Sequence, residues 1–343
     1  MGAHQHDRPA GVGDRREFLQ QLAVLGVGTW AGARGIALPA VRPTIDRLGV
    51  GLFTVFGEMR QDFDGTLAAI RRIGYHEVEF AGYYGRTPEQ VRQVLDRVGL
   101  TAPSTHIGLD LLRTAVDAQV HAAQVIGHQY ITVPSLPRSV GPLRTVDAWQ
   151  RVAEEFNGLG RTLRAGGVRL AFHSHRDEYV DLGGGRKGMD VFITETDPAL
   201  VAFEMDLGWA RVAGEDPVQW FARYPGRFPM WHVKDIKGLA EAQARQAEAF
   251  RNPPPPPQGP PAMPPTGGPP PGGPPPGGTQ AAAPLTGPAP MGEGEIDYRP
   301  IFAAWQRSGL EHFFVEQDLA MRWPGGALTS LQTSYDYMRR LLA

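Results

Sequence analysis

Eight short runs rich in apolar and β-branched residues recur along this chain. Each is followed by a stretch with helical character. The runs are 47–55 (RLGVGLFTV), 77–82 (EVEFAG), 100–108 (LTAPSTHIG), 130–135 (YITVPS), 168–175 (VRLAFHSH), 201–209 (VAFEMDLGW), 227–235 (RFPMWHVKD) and 312–318 (HFFVEQD). The stretches between them carry helix punctuation. Thr87 precedes Pro88, the place of an N-cap before a first-turn proline, and Gly99 stops that helix. Gly74 ends 65–74 (GTLAAIRRIG), and 147–167 and 215–226 follow the same logic. Strands that alternate with helices pair in parallel, because each helix must return the chain to the same edge before the next strand starts. Eight such units predict an α/β fold of the (β/α)8 TIM barrel type. A doubly wound open sheet is the alternative, but no Gly-rich phosphate turn follows the first run.

Two segments stand outside this alternation. Near the N-terminus, Arg15 and Arg16 are followed by Phe18 and Leu19, an apolar run from Leu22 to Trp30, and Ala31-Gly32-Ala33. Paired arginines, an apolar stretch and small residues in that order resemble a twin-arginine export signal over 1–33, with 34–46 as a linker. The expected location is then periplasmic or otherwise exported, and the export machinery is an expected partner. The apolar run is too short and glycine-rich to serve as a stable membrane anchor. The second segment, 252–290, is dominated by Pro and Gly, with no apolar periodicity to bury. A tolerated surface insertion in the barrel domain 47–343 is the plain reading, and a lid or docking element is the sharper one. Without these segments roughly 270 residues remain, the usual size of such a barrel. The formal net charge is −2 with no long basic run, so nucleic acid is not an expected partner. The chain has no cysteine, which excludes disulfides and thiolate metal ligands.

The runs end in residues that suit chemistry better than packing. The third ends near His106, the fifth in His173 and His175, and the sixth in Glu204 and Asp206. The seventh ends in His232, Lys234 and Asp235, and the eighth in Glu316 and Asp318. In a parallel barrel these ends share one face, where active sites sit. Imidazoles and carboxylates without sulfur suit Mn²⁺, Co²⁺, Zn²⁺ or Mg²⁺. Each residue also has an ordinary reading. A strand histidine is commonly hydrogen-bonded in a core or at a rim, Asp206 can cap the next helix, and Lys234 and Asp235 can form a rim ion pair. Glu316 follows three large apolar residues, where an unpartnered carboxylate would be costly.

The segments LAFHSHRDEY, FEMDLGWA, WHVKD, GEGEIDY and FFVEQD together resemble the xylose isomerase-like barrel family, often described as sugar phosphate isomerase/epimerase. The resemblance runs from about Arg47 to the C-terminus, interrupted by the Pro-rich segment. It implies one divalent metal ion bound by residues of strands five to eight: His173, Asp206, His232 and Glu316. Epimerases of that family usually carry a glutamate at the strand-five position, where this chain has His173.

The expected activity is a metal-dependent keto-sugar isomerase or epimerase reaction that abstracts a proton next to a carbonyl. Glu316 is the expected base, His175 its partner acid, and Lys234 a donor to the developing oxyanion. His106, Glu79, Trp209 and Glu178 are expected around the substrate, a small neutral carbohydrate, since no phosphate cradle is visible. Trp209 and Trp231 either pack on a sugar face or belong to the core. The alternatives are a lyase or hydratase acting on an oxidised sugar or glycoside with the same metal, and a non-catalytic carbohydrate-binding barrel. Self-association as a homo-oligomer is left open.

Overall fold

The computed structural model of the protein describes residues 40–140, 143–252 and 286–343. The export signal of 1–33 and the greater part of the Pro-rich segment, 253–285, lie outside the described residues.

All eight runs form strands: β1 (Leu48–Gly51), β2 (Glu77–Phe80), β3 (Thr101–His106), β4 (Tyr130–Val133), β5 (Arg169–Ser174), β6 (Val201–Asp206), β7 (Met230–Val233) and β8 (His312–Val315). They pair in parallel and close into a barrel, β8 returning to β1 through Leu48 opposite Phe313 and Val50 opposite Val315. Alternation along a strand sends successive side chains to opposite faces. Phe172, Phe203, Trp231, Phe313 and Val315 accordingly join the main core beneath the helices. Residues of the other parity fill the barrel, where Tyr130, Ala171, Ala202, Met230 and Phe314 form a separate apolar plug. Gly49 makes room for that plug, because a Cβ there would lie 2.4 Å from the Phe314 ring.

Below the plug lies a layer of paired charges. Glu311 accepts from Tyr130 Oη at 2.7 Å and pairs with Arg169 at 2.8 Å, while His312 Nδ1 meets Glu77 at 2.7 Å. Above the plug, toward the C-terminal ends of the strands, the same parity continues as Glu79, His173, Glu204 and His232, and then Asp206, Lys234 and Glu316.

The helices obey their punctuation. Thr87 Oγ1 accepts from Gln90 N and Gln90 Oε1 accepts from Thr87 N, a capping box at the start of Pro88–Val98, and Gly99 closes that helix in the left-handed region at φ 75°. Gly74 has φ 126° and ends Phe63–Ile73. The expected linker is not free along its whole length: Val41 N donates to Leu310 O at 2.6 Å, and Ile45–Arg47 form a 3-10 turn. The far edge of the Pro-rich segment is also built into the fold. Gly287–Ala289 pairs antiparallel with Asp235–Lys237. Asp235 then pins the following loop, its carboxylate accepting from the backbone N–H of Ile236, Gly292, Gly294 and Ile296.

Candidate active site

The structure brings His173, Asp206, His232 and Glu316 together: one ligand-type atom from each lies within 4.8 Å of those of the other three. Each sits at a lumen-facing position near a strand end, on four consecutive strands of the barrel wall. Lys234, fully buried just past β7, completes the outer layer. Its Nζ lies 2.8 Å from Asp206 Oδ2, 2.8 Å from Glu316 Oε2 and 2.6 Å from Asp318 Oδ2. Asp206 has two tasks, since Oδ1 also accepts from Trp209 N at 2.8 Å and caps Leu207–Val212. The capping and site readings of this residue are therefore compatible.

A second layer lies next to the first. Glu204 Oε2 is 2.8 Å from His173 Nδ1, 3.0 Å from His106 Nε2 and 3.5 Å from His232 Nε2. Glu79 Oε2 is 3.0 Å from His106 Nε2 and 2.6 Å from His232 Nε2. His173 and His232 thus stand between the layers. His173 points Nε2 at Asp206 (3.8 Å), and His232 points Nδ1 at Glu316 (3.1 Å). Glu204 was visible in the sequence but not singled out. Its offset of two residues from Asp206 puts both on one strand face, and that is the signal that finds it.

The remaining expected residues are placed differently. Half-buried His175 stands against His173, ring centroids 4.4 Å apart. The ring of Trp209 has Lys234 Nζ at 5.3 Å and the Arg176 guanidinium at 5.0 Å, which ties it to the mouth of the site. A cavity of about 260 Å³ opens beside Trp209, lined also by Arg176, Ile236, Arg245 and Gln246. Glu178 is turned to its own backbone, where it accepts from His175 N at 3.0 Å and holds the turn after β5. Trp231 faces the core and stacks on Phe221 at 5.0 Å, so it offers nothing to a ligand. Gly51, at the end of β1, went unnoticed in the sequence. A Cβ there would meet Glu316 and His232 at 3.3–3.4 Å, a close but near-ordinary contact that places β1 directly against those two residues.

The charges divide by partner. Burial opposes the charge on Glu316, but Lys234 and His232 outweigh it and hold the carboxyl well below the ordinary range. Burial likewise opposes the charge on Lys234, and Asp206, Asp318 and Glu316 keep it firmly protonated. His106 is pushed up to about 10 by Glu79 and Glu204 against the effect of burial, and His232 rises for the same reason. His175 goes the other way, down to about 3, through burial and the Lys234 charge. Burial, followed by repulsion from Glu79, lifts Glu204 to about 7. Asp206, Glu316 and Asp318 thus share one lysine, while Glu79 and Glu204 face imidazoles, two of which, His106 and His232, are held protonated. Oε1 of Glu79 and Oε1 of Glu204 are buried with no hydrogen-bond partner among the described residues. A carboxylate-rich, imidazole-rich pocket with unsatisfied oxygens fits a divalent cation.

Comparison with known proteins agrees with this architecture. The family profile described as xylose isomerase-like TIM barrel matches residues 67–339. An inosose dehydratase of Lacticaseibacillus casei is 25% identical over 285 residues, 76% of this chain and 85% of that protein. A sugar phosphate isomerase/epimerase from Parabacteroides distasonis ATCC 8503 superposes with a TM-score of 0.62 at 19% identity, covering 89% of this chain and 98% of the other. The IOLI protein, solved with a binding zinc atom, superposes at 0.60 and 11% identity, covering 86% of this chain and 98% of the other. The chain belongs to the xylose isomerase-like TIM barrel family.

Proposed function

We propose that the chain is a divalent-metal-dependent enzyme that moves a proton next to the carbonyl of a keto-sugar, with isomerisation or epimerisation as the outcome. The observation that carries this reading is the buried Glu316 set between Lys234 and His232 at the barrel mouth. His173, Asp206, His232 and Glu316 are the residues that would hold the metal. When bound, a divalent cation supplies Lewis-acid polarisation of the substrate carbonyl and charge stabilisation as the proton leaves. The zinc in the IOLI neighbour supports a divalent ion here.

Glu316 acts as general base, because its partners keep it deprotonated and a carboxylate held in place can take a proton from the carbon beside the carbonyl. Lys234 keeps its charge and is held 2.8 Å from Glu316, so it can donate to the oxyanion that forms. Trp209 offers the apolar surface that a sugar ring needs at the mouth. One carboxylate suffices to carry a proton between neighbouring carbons on one face of a substrate. A change of configuration needs a second group on the opposite face. His175 is the candidate on the β5 side, but burial and the Lys234 charge keep it neutral, so it does not carry the proton expected of a partner acid.

Loss of water from an oxidised sugar or keto-cyclitol is the second reading. The inosose dehydratase relative favours it, and so does His173 in the place where a second carboxylate is expected for epimerisation. Purified, metal-loaded protein would be incubated with a panel of keto-sugars and keto-cyclitols in deuterated water. Deuterium at the carbon beside the carbonyl of an isomerised product supports the first reading, and a product lighter by one water supports the second. Sugar binding without exchange or turnover across the panel sinks both and leaves a binding barrel.

A further inference from the structure

We propose a second, inner cation site, formed by His106, Glu204, His173 and His232 with Glu79 beside them, and suited to a transition metal such as Zn²⁺ or Co²⁺. It goes beyond the outer ligand set described above and stands without it.

The two layers differ in the charges that face their carboxylates. In the outer layer the Lys234 charge lies 2.8 Å from both Asp206 Oδ2 and Glu316 Oε2, an ion pairing that leaves Asp206 Oδ2 and Asp318 Oδ2 without a formed hydrogen bond, and Asp206 Oδ1 is occupied by the helix cap. Among the described residues no lysine or arginine pairs with the two carboxylates of the inner layer. Glu204 is 0% exposed and Glu79 2%, yet Oε1 of each lacks any hydrogen-bond partner. Leaving one such oxygen unsatisfied costs on the order of 1–3 kcal/mol, more when the group is charged. Two buried carboxylate oxygens with free lone pairs, on side chains whose other oxygens face three imidazoles, offer donors to a cation.

The spacing suits a metal ion. His106, His173, Glu204 and His232 each present a ligand-type atom within 4.8 Å of the others. The nitrogen-to-oxygen separations around Glu204 Oε2 are 2.8, 3.0 and 3.5 Å. Ligands about 2 Å from a tetrahedral zinc are about 3.3 Å apart, so these atoms need little movement to surround one. Three imidazoles with carboxylate oxygen favour Zn²⁺, Co²⁺ or a similar borderline ion over Mg²⁺ or Ca²⁺. His173 and His232 are shared: each turns one ring nitrogen toward Glu204 and the other toward the outer carboxylates.

Metal content tests this. The full chain is loaded with zinc, desalted and analysed for bound metal, alongside the double variant Glu79→Gln/Glu204→Gln and the outer variant Asp206→Asn. Circular dichroism checks that each remains folded. Two ions in the unmodified protein, falling to one in each variant, is the expected result. A single ion that Asp206→Asn loses and the double variant keeps overturns the inner site and leaves the outer reading intact. A single ion with the opposite behaviour upholds the inner site and removes the outer one, while no bound ion overturns both. If a variant fails to fold, or both variants lose a single ion, zinc-soaked crystals of the unmodified protein decide. An anomalous peak ringed by His106, Glu204, His173 and His232 supports the proposal, and its absence overturns it.

Discussion

Glu316 shows how much one residue can carry. Replacing it with Gln removes the base and keeps the shape, so turnover should fall by about 10²–10⁴-fold with the fold intact. Steady-state kinetics together with circular dichroism check both halves of that expectation. His128 makes a different prediction, about stability. It is buried, Nδ1 donates to Ala102 O at 2.6 Å and Nε2 accepts from Tyr83 Oη at 3.1 Å. Burial pushes it down to about 4 from the ordinary 6.5. The unfolded chain therefore binds a proton that the native state refuses as pH falls below about 6.5. Its contribution to stability is full above that pH, declines toward pH 4 by up to about 3 kcal/mol, and levels off below. Urea midpoints at pH 7 and pH 5 should differ less in His128→Gln than in the unmodified protein. At this scale the sequence was readable where a residue stands next to a strand end. Asp206, His232 and Glu316 are such residues. Glu204 stood in the same pattern, but its three histidine neighbours, which reach it from other strands, were not legible.

The elements carry predictions of their own. Thr87 closes a capping box, so Thr87→Ala should lower stability by about 1 kcal/mol without touching the site, as read from a denaturant midpoint. Gly208 is a more sensitive position. It lies in the short helix after β6, and a Cβ there would stand 2.6 Å from Lys234 O and 2.9 Å from Lys234 Cβ. Gly208→Ala must push that helix away from the end of β7, taking Lys234 and the Asp206 cap with it. Turnover should then drop by a larger factor than the loss of stability explains, which parallel kinetic and thermal measurements will reveal. Strand and helix boundaries were legible because capping and alternation are decided by residues a few positions apart. The close approach of Gly208 to Lys234 was not, since it depends on how the helix seats against another strand.

For the whole molecule, a bound ion that the unfolded chain cannot hold should stabilise the barrel. At a free concentration 100 times its dissociation constant the gain is about 2.7 kcal/mol, so a chelator should lower the melting temperature and abolish turnover, and added metal should restore both. Export is a separate expectation: Arg15→Lys with Arg16→Lys should leave the protein in the cytoplasm, as cell fractionation will show. The sequence by itself determined the eight strand–helix units, the face each strand residue takes, and the helix stops, because these follow from backbone sterics and periodicity between near neighbours. Only the tertiary structure decided which polar ends meet. Closing β8 onto β1 curls the wall until His232 reaches Glu79, 153 residues away, and Lys234 reaches Asp318 on the next strand end. No local pattern encodes such distances. They arise because burying the outer faces of all eight strands at once forces their other faces, with every charge these bear, into one narrow lumen.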